Sequence, residues 1–245
     1  MNSLDRRSIR KYKKQSIPQE VLDFILESGI RSSNCGNMQL YSIIVTRKEE
    51  GKKKLAPFHF NQPMIEGCDI VLTVCLDVNR FHHWCRMRNA DESLSNFLFL
   101  NVATIDATVC TQAMASAAEE KGLGICYLGT VNYMAKEIAQ ALDLPKGVIP
   151  VTTLTIGYPD ETPELTERLP MDALVHYEKY NDYSDEDINR IYKDIEENPA
   201  NKAFVKENNL ETLAQVFSQV RYSKKDAETF SKLYKDFLKE NFCEI

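Results

Sequence analysis

No CxxC pair, no GxxxxGK[ST] phosphate loop and no complete GxGxxG fingerprint occurs in the sequence. The seven cysteines, at 35, 68, 75, 85, 110, 126 and 243, are odd in number and scattered. That argues against a disulfide framework and reads as reduced thiols in a cytosol, mostly small buried hydrophobes. Gly122-Leu123-Gly124 is the only glycine cluster; it ends a helical pattern instead of opening one, and this excludes the Rossmann turn. No stretch reads as long and apolar enough to span a membrane, and the basic N-terminus has no apolar run behind it, so neither a membrane span nor a signal peptide is expected. A net charge of −6 argues against bulk nucleic-acid binding. His82, His83 and Cys85 cluster, but adjacent histidines cannot face one metal from a helix and no second cluster matches them. They are expected on a surface loop, and no metal is expected. Cys35 has no catalytic flanks and reads as a buried or ligand-facing thiol.

What is present is a composition of 43% hydrophobic and 27% charged residues over 245 positions, which suits one sizeable core with a peripheral extension. A helix is expected from Ser16-Ile17-Pro18-Gln19, as cap and capping box, through Val21, Leu22, Ile25 and Leu26 to Gly29. A polar loop from Arg31 to Gln39 leads into a strand over 41–46. The nearly continuous apolar run over 69–76 marks a strand buried on both faces. The segment 81–92 reads as irregular. Residues 94–121 read as one long helix or two in series, taken as a central helix that can pack on a partner subunit. Strands follow over 125–128 and 149–156, with a helix capped by Asn132 between them. Beyond Tyr183, charge-rich helices start at Ser184 and Ser223 around a break at Asn198-Pro199 and suggest an arm on a surface.

The basic segment Arg6-Arg7-Ser8-Ile9-Arg10 sets three guanidiniums and a hydroxyl within five residues. Guanidinium forks match a phosphate, although alone the segment reads more readily as a solvated patch continuing into Lys11, Lys13 and Lys14. Its meaning changes once three further stretches are read in order: the loop Ser32-Ser33-Asn34-Cys35-Gly36-Asn37-Met38-Gln39, then Gly122-Leu123-Gly124-Ile125-Cys126-Tyr127-Leu128-Gly129, then Gly157-Tyr158-Pro159.

This set resembles the FMN-dependent nitroreductase and flavin reductase family, and is similar to its NADPH nitroreductase and NADPH–FMN oxidoreductase subgroup with a C-terminal extension. The likeness runs from about Arg6 to His176; the tail is alike only in being helical. It implies an α+β fold with a mixed central sheet flanked by helices, a core over 1–176 and a helical arm over 177–245 packed on the core or on a partner. By the resemblance, Arg6, Arg7, Ser8 and Arg10 grip the FMN phosphate and ribityl chain. Asn34, Cys35, Gly36, Asn37 and Gln39 match the loop beside the isoalloxazine, with Asn34 and Cys35 in place of two serines. Gln62 stands at the pyrimidine side. Tyr127, Leu128, Gly129 and Thr130 match the turn near flavin N5 and O4. Arg168 matches an arginine that reaches the phosphate, with Thr166 where the family has lysine.

The implied reaction is two-electron, ping-pong reduction of nitro compounds, quinones or free flavin by NADPH or NADH, with no obligatory side-chain acid or base. The implied assembly is a cytoplasmic homodimer with FMN at the interface and a small-molecule acceptor, with neither nucleic acid nor membrane as partner. The basic residues by which the family holds NADPH fall in the extension, where this chain reads Asn198-Pro199-Ala200-Asn201-Lys202 without arginine. Three alternatives stay open: other flavin chemistry such as dehydrogenation or dehalogenation, a flavin-binding protein without turnover, and a basic-patch module binding an anionic partner.

Overall fold

The computed structural model describes residues 3–243. Its helices are α1 (Gln19–Ile30), α2 (Glu49–Leu55), α3 (Met64–Gly67), α4 (Asn79–Met87), α5 (Phe97–Glu120), α6 (Ala135–Ala141), α7 (Asp185–Glu197), α8 (Pro199–Glu207), α9 (Leu213–Gln215) and α10 (Lys224–Asn241). The strands are β1 (Tyr41–Thr46), β2 (Ile70–Asp77), β3 (Gly124–Leu128) and β4 (Val148–Gly157), in the order β1-β2-β4-β3.

The α+β class is as expected. Among the described residues the sheet is antiparallel at every strand pair, and an isolated bridge between Ser8 and Ile125 is parallel. β2 is buried along its whole length, as its apolar run requires. Ile70, Leu72 and Val74 pack with residues of α1 and α5, and Val71 with Leu55 and Ile65 on the other face. Pro150 lies inside β4 and has no N–H for a ladder. The register shift opposite Val74 and Cys75 accommodates it as a bulge.

Helix α5 is the core helix. Ala103, Ala107, Cys110 and Met114 are fully buried, and small residues let α1 approach so closely that a Cβ on Gly29 would meet Met114 Cγ at 2.4 Å. By length and composition alone α5 would pass for a membrane span, contrary to the reading of the sequence. Its mean hydropathy comes from two sets of residues: Ala107, Cys110, Met114 and Ala115, buried in the core, and Phe97, Leu98, Ile105 and Val109, which are exposed.

Other expectations are corrected. Ser16 does not cap α1: Ile17 N–H donates to Asp69 Oδ2 at 2.8 Å, which holds that stretch extended until Pro18, the true N-cap. Asn132 does not cap α6, which starts after Met134. The segment expected to be irregular is mostly α4. His82 is buried there, not on a surface loop, and its Nε2 accepts from Leu94 N–H at 3.1 Å.

The chain divides into two compact units, one running to Glu164 and resuming at Phe230, the other spanning Leu165–Thr229. Residues of α10 thus belong to the first unit, where Phe237, Leu238 and Phe242 pack with Leu40, Leu76 and Ile149. In the second unit Ser184 closes a capping box with Asp187 at the start of α7.

Candidate functional site

The basic segment lies along the first residues of β3. Ile9 N–H donates to Ile125 O at 2.9 Å, and Ser8 bridges the same residue. Gly124 permits this approach, since a Cβ there would stand 2.7 Å from Ile9. Further on, Tyr12 packs over Gly157 and its hydroxyl donates to Ile9 O at 2.7 Å. Glu161 fixes the backbone of Arg10 and Lys11, accepting at 2.5 and 3.0 Å. Arg6 Nε lies 3.7 Å from Glu119 Oε1, so part of its charge is answered within the chain. Burial raises the Glu119 carboxyl above its ordinary value and Arg6 lowers it in part. Arg7 differs: its Nε is buried and has no hydrogen-bond partner.

The loop before β1 is built from three left-handed residues, Gly36 (φ +57°), Asn37 (φ +55°) and Gln39 (φ +52°). Cys35 N–H donates to Asp106 Oδ1 at 2.9 Å, Gln39 N–H donates to Asn34 Oδ1 at 3.1 Å, and Arg80 donates to Gln39 O. The Asn34 carbonyl oxygen is therefore occupied within the loop. The Cys35 thiol is exposed, while the other six cysteines are buried.

A third group surrounds the end of β3. Tyr127 donates its hydroxyl to Gln112 Oε1 at 3.2 Å, and burial pushes its pKa up to about 12. Leu128 is buried, and Gly129 faces open space, with nothing within 4 Å of where a Cβ would stand. Thr130 is buried, its Oγ1 2.7 Å from His59 Nδ1. Gln62 follows on the same turn, its N–H donating to His59 O at 3.1 Å and its Oε1 buried without a partner. The fully buried His59 is pushed down to about 4, so it is neutral near pH 7.

The structure thus joins Gln62 to Thr130 through His59, and joins Ser8 to β3, which carries Tyr127 and Leu128. It keeps the 34–39 loop apart from the basic segment. Asp106 and Glu119 lie thirteen residues apart on α5, about 20 Å along the axis. Arg168 lies in the second unit, donating to Thr166 O at 3.1 Å and Glu167 O at 2.9 Å. Among the described residues no three His, Cys, Asp or Glu gather as a metal site. His59, Asp106 and Arg80 were missed by the motif reading. The lone acid in the apolar stretch Ala103-Thr104-Ile105-Asp106-Ala107 was a legible signal.

The nitroreductase family profile matches residues 4–67 and 59–158, which hold all three groups. The chain belongs to the nitroreductase family. Among its relatives, an FMN reductase (NADPH) of Bacillus subtilis is 32% identical over 75% of this chain and 74% of that protein. A Cr(VI) reductase of Pseudomonas sp. strain G-1 is 31% identical over 78% of each. A crystal structure from Bacteroides fragilis, provisionally assigned as an oxidoreductase, superposes with a TM-score of 0.96 at 46% identity over 98% of both chains. Each of the three groups holds a buried polar atom without a partner: Arg7 Nε in the first, Asp106 Oδ2 in the second and Gln62 Oε1 in the third.

Proposed function

We propose that this nitroreductase-family chain is an FMN-dependent oxidoreductase that uses NAD(P)H to reduce nitro compounds, quinones or free flavin. The observation that carries the reading is Arg7, whose buried, unpartnered Nε sits in a guanidinium-rich segment pinned along β3. A buried unmet donor costs about 1–3 kcal/mol, and an anion at this place relieves it. Gln62 Oε1 is the matching unmet acceptor on the turn tied to Thr130. A phosphate at one end and a hydrogen-bonding ring edge at the other is the pattern FMN presents, so the residues fit it.

Bound FMN supplies hydride acceptance from NAD(P)H and two-electron delivery to the acceptor. The chain supplies position and electrostatics. Arg6, Arg7, Ser8 and Arg10 hold the phosphate; Gln62 and the Tyr127–Thr130 turn face the ring; open Gly129 leaves room for close approach. Neutral His59 and protonated Tyr127 keep the surroundings uncharged near pH 7.

The loop of Asn34, Cys35, Gly36, Asn37 and Gln39 completes the ring site from a second copy. Its distance from the basic segment supports this, as does an exposed apolar stripe on α5, with Leu98 65%, Ile105 61% and Val109 40% exposed. Antiparallel pairing of α5 about a two-fold axis carries each copy's loop toward its partner's basic end. We read the chain as a cytoplasmic homodimer; six of its seven cysteines are buried, as small hydrophobes in a reducing compartment would be.

Under anaerobic conditions, NADPH should bleach the flavin absorbance of the FMN-loaded protein, and a quinone or nitroaromatic should restore it. Failure of both NADPH and NADH to bleach it refutes the activity. Arg7→Ala combined with Arg10→Ala should release FMN; retention at wild-type affinity refutes the phosphate assignment.

A further inference from the structure

We infer that Phe60 is a specificity-determining residue, an aromatic platform on which planar acceptors stack. This deepens the reductase reading above and rests on it. Among the described residues eight besides glycine adopt left-handed φ; five are Asn or Asp, which tolerate that conformation, two are the flexible polar Gln39 and Glu178, and Phe60, at φ +54°, is the one bulky apolar residue. Asn61, next to it, is left-handed as well, at φ +52°. A bulky residue held there is a local strain, and such strain persists only where the surroundings over-determine the backbone.

The surroundings do so. Phe60 N–H donates to Pro57 O at 3.1 Å, Asn61 N–H to Ala56 O at 2.9 Å and Gln62 N–H to His59 O at 3.1 Å. His59, one residue before, is bolted to Thr130 at 2.7 Å. The turn is thus fixed at both sides to the groups that face the flavin ring.

What the strain achieves is an outward ring. Phe60 is 51% exposed, whereas its neighbour His59 is fully buried. The ring does not stand alone. It meets Tyr133 edge-on at 6.3 Å, and Tyr133 meets Phe230 edge-on at 4.8 Å. Tyr133 follows the Gly129–Asn132 turn directly. The aromatic series therefore rises from the rim of the same turn whose Gly129 is open. An asparagine at position 60 would satisfy the backbone without strain; what phenylalanine adds is apolar surface and a π-face.

The acceptor class this favours is a planar conjugated molecule, a quinone or nitroaromatic, over a compact tetrahedral oxyanion such as chromate. The reaction balances as NADPH + H⁺ + quinone giving NADP⁺ + hydroquinone, with the hydride and one proton supplying two electrons and two hydrogens. An aromatic pair contributes about 0.5–1.5 kcal/mol beyond area burial, which corresponds to roughly 2- to 12-fold in affinity.

The test uses FMN-loaded full-length protein and two probes, 1,4-naphthoquinone and chromate. In Phe60→Leu, the ratio of kcat/KM for naphthoquinone to that for chromate should fall about 3- to 10-fold. In Phe60→Trp, which keeps a ring at the same place, the ratio should stay within about twofold of wild type. An unchanged ratio in Phe60→Leu overturns the inference, and so does an equal fall in both variants. Wild-type protein whose FMN neither NADPH nor NADH bleaches overturns the reductase reading itself; wild-type protein that is bleached yet fails to reduce naphthoquinone overturns the inference alone, and both are seen before any variant is compared.

Discussion

Replacing Asp106 with alanine is expected to loosen the 34–39 loop while leaving the fold standing. Asp106 is 3% exposed, and one carboxylate oxygen accepts Cys35 N–H at 2.9 Å. Its other oxygen is buried without a partner. A bond to a charged acceptor contributes about 1.5–3 kcal/mol, and an unmet buried polar atom costs about 1–3 kcal/mol. The two nearly cancel in global stability, so Tm should move by less than about 4 °C for a chain of this size. The loop does not share that cancellation. It loses its tether to α5 and keeps Gln39 N–H on Asn34 and the Arg80 contact. Re-ordering it on binding then costs what the tether had supplied, and FMN affinity should fall roughly 10- to 100-fold. Asp106→Asn keeps an acceptor at about half the strength and should lose less than about tenfold. Quenching of FMN fluorescence on titration into apoprotein measures Kd, and a thermal melt measures Tm. An alanine variant that binds FMN within about twofold of wild type refutes the tether. So does a Tm drop beyond about 10 °C, which would make Asp106 a strut of the core.

Two further outcomes rest on the geometry. Burial lowers the pKa of His59 from 6.5 to about 4, so on acidification the unfolded chain takes up this proton first. The stability due to neutral His59 is complete above pH 6.5 and is lost as pH falls toward 4, on the order of 3 kcal/mol in all. Urea unfolding of wild type and His59→Gln should show their stability difference shrinking by about that amount between pH 7 and pH 4; a constant difference contradicts it. Ile105→Asp places a charge on the exposed stripe of α5 and should yield a monomer by sedimentation with FMN lost. A dimer that keeps FMN removes α5 from the interface.

The readable parts of the fold were those where one physical demand dominates a stretch. β2 is buried on both faces, so its run is almost wholly apolar, and β1 carries the β-branched residues of a strand. The second-unit helix at Ser184 announced itself because its capping box is local. Ser16 misled because a carboxylate distant in sequence, Asp69, takes the amide that a helix would have used. The stretch of α4 misled because a histidine forms part of its buried face, and His82 looks polar until Leu94 is seen donating to it. The same division runs through the site. Arg6–Arg10, the 34–39 loop and the 127–130 turn are contiguous and visible as motifs. Their supports are not: Cys35 reaches Asp106, and His59 reaches Thr130, each across 71 residues. No local pattern encodes a pairing at that distance.

The return of the last helix to the first unit has a consequence for how the protein comes into being. Phe237, Leu238 and Phe242 close a cluster containing Leu40, Leu76 and Ile149, and Asn241 O accepts Gly147 N–H at 2.8 Å. On the ribosome the first unit cannot seal this cluster until its final turn emerges, long after the sheet has been synthesised. The segment 165–229 is therefore topologically an inserted piece, made while the core waits. Stop codons just before Phe230 would spare every strand and every residue of the first unit proposed above to face the flavin, yet leave its sheet with an unsealed apolar flank.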